Sequence, residues 1–269
     1  MTGLLRLELG RSLRDLRYVV LAIVAPVGFY LLFAGIFSGR GQREGQLPAQ
    51  VEIMVAMAAF GAMWGALSAT APRLARDRES GWLRALQVTP LAVGRVLTAR
   101  ILAGLAVALP AIVAVAVTAV LAHHVRLEAW QWAAGGGLLW VGTLPFVALG
   151  IAIGSATSST TAYALTTGLY FALAALGGLW VPPAQFSPAL RHVAATLPSY
   201  SLADLGWRVA GGSAPSLGAG LALAGWTVAL TMLALAAGAC RPRRNLRAQG
   251  AGMAGDSAVA LRRASPDAA

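Results

Sequence analysis

Along the chain, apolar stretches about the length of a membrane crossing alternate with short segments that hold most of the arginines. Six stretches follow this pattern, at 18–37, 51–71, 101–122, 132–153, 161–181 and 217–240. An α-helix rises about 1.5 Å per residue, so roughly 20 apolar residues cross a hydrocarbon core of about 30 Å. Each stretch is therefore predicted to be a spanning helix. Pro26 interrupts the first. Gly135, Gly136, Gly137 and Pro145 make the fourth the weakest pattern, although membrane helices accept such residues where neighbours satisfy the freed backbone groups. Residues 2–17 follow a different rhythm: Leu5, Leu9, Leu13 and Leu16 recur at helical spacing while Arg6, Arg14 and Arg17 take other faces. That predicts an interfacial helix before the first span. The run at 18–37 is too long for a typical cleaved signal, and no small-x-small site follows it, so it reads as a span.

Composition agrees with the pattern. Hydrophobic residues make up 58% and charged residues only 12%, against about a quarter charged in soluble domains. Mean hydropathy is +0.69. The expected fold is an all-α polytopic membrane protein: one six-helix domain over 1–240, with a helix-bearing loop at 72–100, a helical segment at 182–216 and a basic, disordered tail at 241–269.

All 21 basic residues are arginine, and with 10 acidic residues the net charge is +11. A nucleotide-binding P-loop needs a lysine at the phosphates, and lysine Schiff-base chemistry is excluded too. In a soluble chain this charge would suggest nucleic acid; here it marks the cytoplasmic ends of spans, and no nucleic-acid partner is expected. Assigned to alternate sides, 16 arginines fall with the termini and five opposite. The predicted location is the cytoplasmic membrane with both termini in the cytoplasm, which an even number of spans also requires. The basic start of the tail reads as a stop-transfer signal. Cys240 is the sole cysteine, so an intrachain disulfide is impossible.

Apart from Glu52 at the edge of the second span, the spans hold no acidic or basic residue. Proton relays, carboxylate ion sites and membrane-embedded catalysis therefore lack material. His123 and His124 are adjacent, a poor arrangement for joint metal ligation on a helix, and read as interfacial. No catalytic, cofactor or metal site is expected; if the chain does transport, its energy source has to lie elsewhere.

The segment after the second span reads Arg76-Asp77-Arg78-Glu79-Ser80-Gly81-Trp82-Leu83-Arg84-Ala85-Leu86-Gln87-Val88-Thr89-Pro90. Trp82, Leu83 and Leu86 form an apolar face at helical spacing, and Thr89-Pro90 ends the pattern. This run resembles the conserved segment of type-2 ABC exporter permeases, the drug and lipid export class. Six spans, an amphipathic start and the proline-bounded segment from Pro182-Pro183 to Tyr200 are similar as well. The resemblance implies that Arg78, Glu79, Gly81, Trp82, Leu83, Leu86, Thr89 and Pro90 belong to a cytoplasmic coupling helix set against a separate ATPase subunit, with Glu79 facing donors of that partner. It further implies ATP and Mg used by the partner, a second permease copy or close homologue, lipid contact, and short external helices between spans five and six. The daunorubicin-resistance type is the nearest subgroup. Polysaccharide and lipid-linked glycan exporters share the topology, and a non-transporting membrane assembly protein would share the composition.

Two stripes are candidates for a substrate pathway: Met57, Phe60, Trp64 and Ser68 on the second span, and Thr160, Tyr163, Thr167 and Tyr170 on the fifth. Aromatic rings mixed with hydroxyls suit an amphiphilic substrate; ordinary helix packing gives the same stripe. Gly61 with Gly65, and Gly150 with Gly154, are small-x-x-x-small pairs that permit close helix approach.

Overall fold

The computed structural model describes residues 20–37, 47–81, 93–181 and 183–239, and these are helical with short connections. The interfacial helix expected at 2–17, the tail at 241–269 and Cys240 lie outside the described residues, as do Trp82, Leu83, Leu86, Thr89 and Pro90.

A π-helical turn, Val20–Val24, leads into α1, Ala25–Phe37. Pro26 follows closely on that π-helical turn, a local widening of the helix at the point where its missing N–H and its ring break the regular bonding pattern. Next come α2, Ala49–Glu79, and α3, Val93–His123, each 31 residues long. The fourth predicted span divides into α4, Ala129–Val141, and α5, Leu144–Ala156. Pro145 lies in the first turn of α5, so the break falls just before it, while Gly135, Gly136 and Gly137 remain helical. α6 covers Ser159–Leu176, followed by a 3-10 turn at Pro183–Gln185 and by α7, Pro188–Thr196. α8, Pro198–Ala210, and α9, Leu217–Ala239, complete the order.

Among the described residues, four helical stretches are long and apolar enough to cross a membrane: Ala49–Glu79, Thr98–His123, Ala129–Ala156 and Leu217–Ala236. The apolar stretch Ala22–Phe37 is shorter. α6 ends at Leu176 rather than at 181 because Gly177 and Gly178 follow, the latter at φ +78°, a left-handed conformation that costs glycine little.

α2 is the central helix. Every residue from Met54 to Leu67 is buried, four turns without an exposed face. Such a helix has to be surrounded by others, and glycines set how closely. A β-carbon at Gly65 would lie 2.8 Å from the Ala108 Cα of α3, and one at Gly61 would lie 2.9 Å from the Ala111 Cβ. Gly150 presses on Thr70, and a β-carbon at Gly154 would fall 2.6 Å from the Ala71 carbonyl oxygen. Both small-residue pairs thus serve α2, the first against an antiparallel α3 and the second against a parallel α5.

α8 packs inward through Ser199, Ser201, Leu202, Leu205 and Val209, all buried. Hydrogen bonds fix both its ends. The Ser199 hydroxyl donates to the Leu173 carbonyl (2.7 Å), the Trp207 indole N–H to the Glu52 carbonyl (2.9 Å), and the Gln131 amide to the Ala210 carbonyl (3.1 Å). α9 lies at the periphery, with Leu221, Val228, Met232 and Leu233 exposed.

Candidate functional site

The end of α2 departs from the expected loop helix. Arg78 and Glu79 do not begin a new helix; they form the last turn of α2, which continues through Pro72. The change from apolar to charged residues at this point is a change of surroundings, and the helix passes through it. Termination comes at Ser80 and Gly81, whose N–H groups donate to the carbonyls of Arg76 (2.9 Å) and Arg78 (3.2 Å), with Gly81 at φ +75°. A glycine in this conformation is a common helix stop.

Three consecutive side chains at this end reach three different helices. Asp77 pairs with Arg100 of α3 at 2.8 Å, an ion pair in which Arg100 is mostly buried. Arg78 donates through Nη1 to the carbonyls of Gly154 (2.7 Å) and Thr157 (3.3 Å) at the C-terminus of α5. Glu79 accepts the backbone N–H of Ser159 at 2.8 Å, at the N-terminus of α6. Consecutive helical residues point about 100° apart, so one turn can address three neighbours.

The polarity of these contacts follows from helix ends. The last carbonyls of α5 and the first N–H groups of α6 lack intrahelical partners and carry partial negative and positive charge. A guanidinium suits the first and a carboxylate the second. Ser158 completes the cap of α6, its hydroxyl accepting from the Thr161 N–H at 3.3 Å. The Ser159 hydroxyl and N–H, with Arg78 and Arg76 nearby, hold the exposed Glu79 carboxyl below the ordinary glutamate range.

The second candidate region is an aromatic column. Phe60 stacks on Tyr170 with centroids 4.5 Å apart, and Trp64 meets Tyr170 at 5.1 Å and Tyr163 at 6.3 Å. Trp180 approaches Phe60 at 5.7 Å and Phe171 at 5.8 Å, while Phe29 of α1 lies 6.1 Å from Phe60. Met57, Phe60 and Trp64 are fully buried, and Ser68 is half-buried with its hydroxyl donating to Gly65 (3.4 Å). On α6 the buried face is Ala162, Thr166, Tyr170 and Ala174. Tyr163 and Thr167 stand at its margin, and Thr160 is exposed, away from the column. The expected stripe is thus rotated: Thr166 belongs to the inner face and Thr160 does not. Among the described residues Trp64 Nε1, Tyr170 Oη, Thr166 Oγ1 and Trp180 Nε1 are buried without a hydrogen-bond partner.

The sequence reading missed Asp77, Arg100, Thr157, Ser159, Thr166 and Trp180 as members of these groups. Of these only Ser159 had a local signal: Ser158, three residues before Thr161, is a cap pattern that starts a helix at the next residue. A cleft of about 490 Å³, lined by Leu47, Arg126, Gln131 and Gly212 among others, sits at the opposite end of the bundle and contains no predicted site residue.

The central apolar helix thus ends in a charged hub joined to three neighbouring helices. Residues 3–205 match the model of the ABC-2 type transporter family. The chain belongs to that family. It is also 25% identical over 209 residues to a Bacillus subtilis (strain 168) protein named "Putative transport permease YvfS", covering 78% of this chain and 84% of that protein. ABC-2 members are membrane transport subunits that generally work with an ATPase subunit. Membership and the apolar helices together make this an integral membrane protein.

Proposed function

We propose that the chain is the permease subunit of an ATP-driven exporter that moves a hydrophobic or amphiphilic substrate, a drug, antibiotic or lipid-like molecule, across the cytoplasmic membrane. In this reading six helical columns span the bilayer: α1 with its π-helical turn, α2, α3, α4 with α5, α6, and α9. Both termini are cytoplasmic, and the chain pairs with a second copy or a close homologue. ATP and Mg are used by a separate nucleotide-binding subunit, which meets the segment following Gly81 and drives the switch by binding ATP more tightly in one state than in the other.

The observation that carries the reading is the Asp77-Arg78-Glu79 hub, which ties the end of the central helix to α3, α5 and α6. The aromatic column supports the substrate class: ring faces with unpartnered N–H and O–H groups suit a molecule that is apolar and hydrogen-bonding at once.

Affinity purification of the chain from its native membrane tests the proposal. A nucleotide-binding subunit should co-purify, and ATP turnover should require it. Robust turnover by the isolated chain, with contaminants excluded, would overturn this division of labour.

A further inference from the structure

The hub has a consequence for how movement spreads through the chain. Asp77, Arg78 and Glu79 each hold a different helix, and two of the three reach main-chain atoms, Glu79 meeting the Ser159 hydroxyl as well as its N–H. Main-chain contacts at helix ends seize the backbone of the gripped helix, so the only side chains in the linkage are those of Arg78 and Glu79 themselves. Gly150 and Gly154 let α5 lie against Thr70, Ala71 and Leu74, which brings the Gly154 carbonyl within reach of Arg78, one turn beyond Leu74. The connection between α5 and α6 is short, from Thr157 to Ser158, so a grip on both sides of it leaves little slack. α6 then carries Tyr163 and Tyr170 to the aromatic column.

We propose that Arg78 and Glu79 are positioning residues that clamp the α5–α6 turn to the end of α2, so that displacement of this end is passed directly to α6 and its aromatic face. Asp77 extends the same joint to α3. The proposal rests on the permease reading for the source of the displacement. It also gives Glu79 a role inside the chain, where the family resemblance suggested one facing the partner.

Two substitutions test the clamp with little other disturbance. Glu79→Gln keeps size and removes the charge that the N-terminus of α6 favours. Ser159→Pro removes both the N–H and the hydroxyl that Glu79 meets. Proline is well tolerated at the first helical position, and Ser158 already has the extended backbone (ψ 163°) that a residue before proline prefers. The experiment is hydrogen–deuterium exchange on the full-length permease with its co-purifying nucleotide-binding subunit, with and without ATP, Mg and vanadate. Peptides covering 74–81 and 157–163 are followed.

In the wild type both peptides should change their exchange on nucleotide addition. In both variants the subunit should still co-purify and the response at 74–81 should persist, while that at 157–163 is reduced, more in Ser159→Pro than in Glu79→Gln, because Arg78 keeps its hold on the Gly154 and Thr157 carbonyls. The proposal is overturned if the wild type responds at 74–81 alone, or if both variants keep the full wild-type response at 157–163. Absence of any co-purifying subunit and of any response at 74–81 in the wild type would remove the exporter reading and the clamp's role with it, a pattern distinct from the other two. If Ser159→Pro lowers the membrane level of the protein, Glu79→Gln decides alone.

Discussion

Gly154 lies so close to Ala71 that a methyl group on its α-carbon would fall 2.6 Å from the Ala71 carbonyl oxygen. That oxygen belongs to the helix backbone and cannot swing aside. Gly154→Val should therefore force α5 away from α2 and draw the Gly154 carbonyl from Arg78. Overpacking of this kind typically costs about 1–3 kcal/mol. Thermal unfolding of the purified protein in detergent should show a lowered midpoint, while Gly136→Ala, with nothing within 4 Å of the new β-carbon, should leave it unchanged or raised. Equal behaviour of the two variants would mean that α2 and α5 are not in close contact.

Tyr170 offers a test of the aromatic column. Its ring stacks on Phe60, and its hydroxyl is buried without a partner among the described residues. Tyr170→Phe keeps the ring and removes an orphan group whose burial costs about 1–3 kcal/mol, so stability should be unchanged or increased. Tyr170→Ala should lose about 3–5 kcal/mol, the usual range for emptying a large aromatic site. A Tyr170→Phe midpoint as low as that of Tyr170→Ala would show that the hydroxyl is satisfied in the assembled protein.

The pH dependence of the clamp has a definite sign. Glu79 is held below the ordinary glutamate range by its contacts with Ser159. A carboxylate with a lowered folded pKa stabilises the fold above its unfolded value, near 4.3, and that contribution is lost as pH falls through the lowered value. Wild type should therefore exceed Glu79→Gln in thermal midpoint at neutral pH, and the two should converge only below about pH 4.3. Convergence already above pH 5 would show that Ser159 does not hold the carboxylate.

Topology can be read by cysteine accessibility in a Cys240→Ser background. Positions 85, 161 and 250 should label from the cytoplasm and position 195 from outside. Labelling of 85 and 195 from one side would exclude the six-span arrangement.

Run length and composition were enough to predict an integral membrane protein built of helices, because lipid imposes a length and a polarity that any spanning helix has to meet. Gly61, Gly65, Gly150 and Gly154 were also legible as close-approach positions, since only glycine lets two backbones come so near. Which helix lies at the centre was not legible. α2 and α9 are both apolar in sequence, yet one is enclosed over four turns and the other exposes Leu221 and Val228; lipid tails and a protein interior are equally apolar. The continuation of α2 to Glu79 was hidden for a similar reason, as a switch to charged residues marks a new environment and not a helix end. The hub itself was decided by the tertiary structure alone. Arg78 and Glu79 find their partners 76 and 80 residues away on a backbone carbonyl and a backbone N–H, groups that almost every residue carries and that become specific only where folding leaves a helix end open.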